Sequence, residues 1–302
     1  MNRDEKILKL KLDIIFKRIF GDVRNEDIIK TFLEDLLELP PKSIQKILID
    51  NVELVPAFID LKFSRLDLKM KINDSIVNIE IQVNSEPYYN DRTLFYWSKI
   101  FSEELSSGDE YDELKQTICI NIVNFNIFNC NEYHSHFQVM EKDRHIVLSD
   151  KLAIHFFELK KLSKKQNKKR MEDWLNLINA ETEGDLMDIQ DQTTIPEVKQ
   201  TIVKLRELNA DEQLKAQAFY REKRLHDEAS ALGYARREGE KMGLAKGEAI
   251  GLAKGEAIGL ARGETIGLKK GKLQLIEELK NQWLLDGRSE KEISELLRNF
   301  AE

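Results

Sequence analysis

The chain has 302 residues, of which 41% are hydrophobic and 8% aromatic: enough apolar material for a buried core and too much for a disordered chain. Its formal charge of −7 excludes a surface coated throughout in basic residues, although a local basic patch or a metal ion can still serve an anionic partner. With Cys119 and Cys130 as the only cysteines, a disulfide framework and a cysteine-based zinc site are both excluded. No uncharged apolar run approaches 18 residues, so a cytoplasmic protein with no membrane partner is the expectation.

In chain order, residues 7–39 read as an amphipathic helix or pair of helices. Ile14, Ile15, Phe16, Ile19 and Phe20 form the apolar side, and Gly21 marks a break. Pro40-Pro41 ends helix. Residues 44–54 suit a first strand, and 65–83 form the clearest β-hairpin of the sequence. Residues 91–105 (DRTLFYWSKIFSEEL) read as helix, with Gly108 just past the end. A buried-looking strand follows at 117–128 and a further one at 152–159. The order predicts an α/β core of about 160 residues.

A basic connector, KKLSKKQNKKR at 160–170, holds seven basic residues and no acid. It suits either a solvated link or a phosphate contact made by Lys164, Lys165, Lys168, Lys169 and Arg170. Beyond it the chain reads almost entirely as helix, near 171–180, 196–209 and 212–231. Glycine then stands at every fourth position from 239 to 271, inside the octapeptide GLAKGEAI and its variants. In a helix these nine glycines cost roughly 7–9 kcal/mol against alanine. Lys246 and Glu248 are not spaced to offset that by pairing. Close packing against a second helix can offset it, which favours a self-associating or partner helix; a flexible tether is the other reading. Residues 272–285 are amphipathic, Gly287 breaks them, and Ser289 with Glu292 forms a capping box for a last helix at 290–299. The expected organisation is a core at 1–165, a helical extension at 166–238, the repeat at 239–271 and a helical hairpin at 272–302.

The chemistry-bearing pattern is the hairpin, RLDLKMKINDSIVNIEIQVN at 65–84. Leu66, Leu68, Met70 and Ile72 alternate with Arg65, Asp67, Lys69 and Lys71. Val77, Ile79, Ile81 and Val83 alternate with Asn78, Glu80, Gln82 and Asn84. With Asn73-Asp74 as a two-residue turn, paired positions sum to 147, which sets Leu68 against Ile79 and Asp67 against Glu80; a register shifted by two sets Asp67 beside Gln82 with Glu80 as its diagonal neighbour. Like charges directly across a hairpin destabilise it. A divalent cation on hard oxygen ligands relieves them, and so would the flanking Lys69 and Arg65.

Asp67, twelve intervening residues, and then Glu80-Ile81-Gln82 resembles the PD-(D/E)xK nuclease hallmark in its E-x-Q form. Residues 11–21 (KLDIIFKRIFG) resemble the opening helix of the Rpn-type recombination-promoting nuclease/putative transposase family. So do Arg92, Tyr96-Trp97-Ser98-Lys99, Gly108, Tyr111 and Phe125-Asn126, in that order. The resemblance covers roughly residues 8–130. It implies a restriction-endonuclease-like mixed sheet flanked by helices, followed here by an α-helical C-terminal region that carries the glycine repeat. It also implies Mg²⁺- or Mn²⁺-dependent hydrolysis of DNA phosphodiester bonds, tied to recombination, mobile elements or defence. Asp67, Glu80 and the backbone carbonyl of Ile81 would hold the metal.

The family pattern usually has lysine where Gln82 stands. Glutamine orients a water by hydrogen bond but brings no charge. That leaves open compensation by Lys69 or Arg65, or a catalytically weak DNA-binding or assembly protein. Asp13 is a further candidate, since the first helix of this fold often brings an acid to the metal; pairing with Lys17 is the competing reading. Arg92 and Tyr96 share a helix face and suit phosphate contact or bracing. His134 and His136 lack a third ligand of diagnostic spacing, His155 reads as a core or edge histidine, and Cys119 as a packing residue.

Overall fold

The computed structural model describes residues 2–50, 68–105, 108, 110–162 and 169–298. The opening amphipathic stretch folds as two helices, α1 (Asp13–Phe20) and α2 (Glu26–Leu36). Gly21 closes the first by donating its N–H to Lys17 O, and Asn25 ties the turn by donating Nδ2 to Ile19 O at 2.8 Å. The apolar spacing buries Ile15, Phe16, Ile19 and Phe20 of α1.

Six strands follow: β1 (Ile47–Asp50), β2 (Leu68–Ile72), β3 (Ser75–Gln82), β4 (Thr117–Val123), β5 (His134–Met140) and β6 (Val147–Glu158). They form one sheet in the order β1-β2-β3-β4-β6-β5. β1, β2 and β3 run antiparallel, β3, β4 and β6 run parallel, and β5 returns antiparallel along the edge. The parallel strands in the middle are the ones buried on both faces, as their near-continuous apolar composition requires.

The hairpin register is the one that the two-residue Asn73-Asp74 turn implies, not the one shifted by two. Leu68 lies opposite Ile79, Met70 opposite Val77 and Ile72 opposite Ser75. Asn73 turns the corner with φ at 49°, a left-handed conformation that asparagine tolerates better than most residues. Its side chain also clamps the segment before β1, accepting from Gln45 N at 2.9 Å and donating to Ser43 O at 3.0 Å.

The two faces of the sheet are covered unequally. α3 (Tyr89–Ser102) packs on one, over Cys119, Val123, Leu152, Ile154 and Phe156. The other carries α1, α2, α4 (Arg170–Asn179), α5 (Glu183–Gln192) and α6 (Pro196–Leu208). Trp174 of α4 sits edge-on to Phe32, with ring centroids 5.5 Å apart, and donates Nε1 to Asp35 Oδ2 at 2.8 Å. Leu175, Leu186, Val198, Ile202 and Leu205 enter the same buried cluster as α1 and α2. Two elements go beyond the sequence expectation. β5 has a mixed, mostly exposed composition that its edge position permits, and α5 is an acidic helix started by a Thr182–Asp185 capping box.

α7 runs from Glu212 to Leu285 as one helix, so the glycine repeat is helical. Contacts divide the chain into units 1–229 and 230–302, with the division inside α7. Along the second unit a Cβ added at any glycine from Gly239 to Gly271 would meet nothing within 4 Å. Leu244, Leu252, Leu260 and Leu268 are all more than two-thirds exposed on this helix. α8 (Glu290–Arg298) starts at the expected capping box, Ser289 N donating to Glu292 Oε2 at 3.0 Å. Among the described residues, no helix is long and apolar enough to cross a membrane.

Candidate active site

β3 presents Val77, Ile79 and Ile81 to the larger core and Asn78 and Glu80 to the face under α3. Strand alternation alone dictates this division. What the alternation leaves undetermined is the cover: α3 closes over the polar face and β4 flanks it within the sheet, so Glu80 is only 3% exposed. An ionised carboxylate at that depth needs a cation and hydrogen-bond donors. Arg92, at the start of α3, supplies them through an ion pair from Nη2 to Glu80 Oε1.

The same guanidinium pairs through Nη1 with Glu86, in the loop between β3 and α3. Glu86 in turn accepts from Gln82 Nε2 at 2.8 Å. Glu80, Arg92, Glu86 and Gln82 thus form one connected chain of charge-assisted hydrogen bonds. Burial pulls the Arg92 guanidinium toward neutrality, but the Glu80 and Glu86 charges outweigh it and hold its pKa above the usual range. The guanidinium carbon lies 4.7 Å from the centre of the Tyr89 ring, a cation–π contact that also fixes its position. Tyr88, with φ at 59°, makes the left-handed turn by which the loop carrying Glu86 enters α3.

A second polar group braces this one from β4. The register places Asn121 beside Glu80. The hydroxyls of Tyr89 and Thr93 each lie 3.2 Å from Asn121 Oδ1, and Asn121 Nδ2 donates to His155 O at 3.2 Å. Cys119, one pleat earlier on β4, is a packing residue. Burial first, and the Glu80 charge second, push its thiol up to about 12.

Of the residues singled out from the sequence, Glu80, Gln82 and Arg92 are brought together, with Ile81 between them and its side chain 4% exposed toward the larger core. Asp67 and Arg65 lie outside the described residues, as do Lys164, Lys165 and Lys168. Lys69 is on the α3 side of the sheet, with Nζ 3.9 Å from Asp50 Oδ2 of β1. Asp13 is held by Arg221 of α7, which donates Nε and Nη2 to its two oxygens at 2.9 Å each. One turn further along α7, Leu225 O accepts from Asn84 Nδ2 at 2.7 Å. Lys169 and Arg170 pair with Glu38 and Asp35 at the end of α2, on the opposite side of the sheet from Glu80.

The sequence reading missed Glu86, Tyr89, Thr93 and Asn121. A signal existed for Asn121, a polar residue inside the apolar run TICINIV. For Glu86 there was none, because its role comes from a loop that folds back on β3.

The histidines gain a third member. His155 lies opposite His136 across β5 and β6, their rings stacked at 4.1 Å, and His134 Nε2 is 3.0 Å from His155 Nδ1. The His134 and His136 rings each lie within 16° of parallel to the His155 ring, a stacked arrangement that does not aim their in-plane lone pairs at one point. No group of three His, Cys, Asp or Glu among the described residues is placed to hold a metal. Burial and the two neighbouring imidazoles push His155 down to about 3.

Around Glu80 the donor chemistry is carboxylate and amide oxygen, which suits a hard divalent cation, and two carboxylates already converge there on a cationic side chain. A mixed sheet with flanking helices and a Glu-x-Gln on its inner strand is the arrangement of a PD-(D/E)XK-like α/β fold. Residues 10–235 match the PD-(D/E)XK nuclease family transposase domain, and the chain belongs to that family. No curated protein and no solved structure matches it.

Proposed function

We propose that this protein is a metal-dependent DNA endonuclease that hydrolyses phosphodiester bonds in the cytoplasm, with a role in recombination, mobile elements or defence. The observation that carries the reading is the buried Glu80 on β3, in a hairpin whose observed pairs all sum to 147. The sequence pattern predicts Asp67 opposite Glu80 by the same sum; Asp67 itself lies outside the described residues. Asp67, Glu80 and the Ile81 carbonyl are the proposed holders of Mg²⁺ or Mn²⁺. A cation bound there supplies Lewis acidity toward the scissile phosphate and a lower pKa for its bound water.

The chain's own residues do the rest. Gln82 orients the attacking water through its amide, held in place by Glu86. Arg92 brings a fixed positive charge to the side of the site where the phosphate must lie. Asn121 and Tyr89 keep α3 seated over β3 so that these groups stay in register. The exposed leucines and open glycine edge of α7 suit self-association of a second copy along this helix.

Plasmid cleavage tests the reading, with Mg²⁺, Mn²⁺ or EDTA, beside Asp67→Ala and Glu80→Ala. Metal-dependent cutting that both variants lose is the expected result; absent cutting, or cutting that persists in both, overturns it. A second reading has one observation in its favour: Gln82 and Glu80 are both committed to side-chain partners. A DNA-binding or assembly protein with a weak site would bind DNA equally well in wild type and Glu80→Ala, without metal-dependent cutting.

A further inference from the structure

We infer that Arg92 is the built-in counter-cation of the site: it holds Glu80 in the metal-free protein, competes with a divalent cation for that carboxylate, and is retained by Glu86 once the cation takes Glu80. The inference rests on the metal-dependent reading above and adds two positioning residues to it.

The argument starts from charge. Glu80 is buried beneath α3, where a lone carboxylate is strongly disfavoured. In the absence of metal, a positive charge paired with it is the Arg92 guanidinium, which cannot deprotonate to escape burial. Arginine on α3 reaches this place because the start of the helix is anchored at Tyr89 and Thr93 to Asn121, the neighbour of Glu80 on β4. Two cations cannot share one carboxylate closely without repulsion, so a divalent ion arriving at Glu80 displaces the guanidinium.

The displaced side chain has somewhere to go. Nη1 already pairs with Glu86, whose carboxylate is one-third exposed and lies in a loop rather than on the strand. That second anchor keeps the guanidinium at the rim. Its Nη2 is released by the exchange, and its buried Nε has no partner among the described residues. Nε and Nη2 are adjacent donors on one edge of the guanidinium, the fork geometry that matches a phosphate. Glu86 also fixes Gln82, so one carboxylate positions both uncharged and cationic helpers of the reaction.

Mn²⁺ binding to the full-length protein without DNA tests this, by calorimetric titration of wild type, Arg92→Gln, Glu86→Gln, the double variant and Glu80→Gln. Removing the competitor should tighten Mn²⁺ binding in Arg92→Gln by tenfold or more. Removing only the second anchor leaves Arg92 to Glu80 alone, so Glu86→Gln should bind Mn²⁺ several-fold more weakly. That loss should vanish in the Arg92→Gln background, which separates an action through Arg92 from direct ligation by Glu86. Glu86→Gln is a change at a one-third-exposed loop residue and keeps the test open if Arg92→Gln fails to fold. Wild-type binding that is lost in Glu80→Gln but is not tightened in Arg92→Gln overturns this inference and leaves the nuclease reading standing. Binding in neither wild type nor Arg92→Gln overturns both, while binding in Arg92→Gln alone supports competition in its extreme form.

Discussion

The α3 face of the sheet and the α2 face each bury a polar cluster, and the two clusters meet burial in opposite ways. Under α3, Glu80 stays with a permanent cation and is wired through it to Glu86 and Gln82. On the other face His134, His155 and His136 stack beside a cavity of about 340 Å³ lined also by Leu36, Ile44 and Ile118. All three imidazoles are held below their usual pKa, chiefly by burial. Charge is kept where the fold places an ion-pair partner in direct contact; it is shed at the histidines, where burial outweighs the nearby carboxylate of Glu38. The carboxylate–guanidinium arrangement suits exchange of one cation for another, and the proposed chemistry is placed on that face.

The largest way to break this contrast is to remove the cation. Arg92→Ala removes the ion pair from the buried Glu80, and should cost about 3–5 kcal/mol in urea denaturation without metal. A loss below about 1 kcal/mol would show that other groups neutralise Glu80 fully.

Acid tests the histidine face. An unfolded His155 takes up a proton near pH 6.5, whereas in the folded chain it stays neutral until about pH 3. Stability is therefore fully present above pH 6.5 and falls as pH drops through that window, by up to about 1.4 kcal/mol per pH unit from this group. His155→Gln should flatten the profile between pH 6 and 4, and an unchanged slope would refute the assignment.

Asn121→Ala removes the acceptor shared by Tyr89 and Thr93 and should cost about 1–3 kcal/mol, measured by thermal unfolding. In Tyr89→Phe/Asn121→Ala the two losses should be less than additive, because the variants remove the same bond.

The smallest effects belong to α7. Gly247→Ala, Gly255→Ala and Gly263→Ala meet open space, so each should raise helix stability by about 0.8–1 kcal/mol, seen as a higher helical signal on heating. If a second copy packs along the glycine edge, the same changes weaken association by light scattering. Deletion of 239–271 with no change in mass would exclude self-association through the repeat.

Much of the architecture was legible in the sequence because local rules govern it. Gly21 between two apolar arcs, Asn73-Asp74 between alternating strands and Ser289 three residues before Glu292 each act over a few residues, and each appears where expected. β5 was not legible, since an edge strand with mixed composition is set by its neighbour β6. α5 was hidden by its acidic sequence, which earns its place through packing of Leu186 and the cap at Thr182.

The candidate site divides along the same line. By itself the sequence determined that Glu80 and Gln82 share a strand face away from Ile79 and Ile81, because strand periodicity is a property of the backbone. It limited the hairpin to registers that differ by two residues, since a slip of one would expose the apolar side, and the observed pairing is the one that the two-residue Asn73-Asp74 turn implies. Only the tertiary structure decided that α3 would cover that polar face, that Glu86 would fold back to meet Gln82 and Arg92, that Arg221 would take Asp13, and that three histidines would stack. Those contacts join residues from different elements, and their energies depend on burial and on the sign of the neighbouring charge, neither of which exists until the chain has folded.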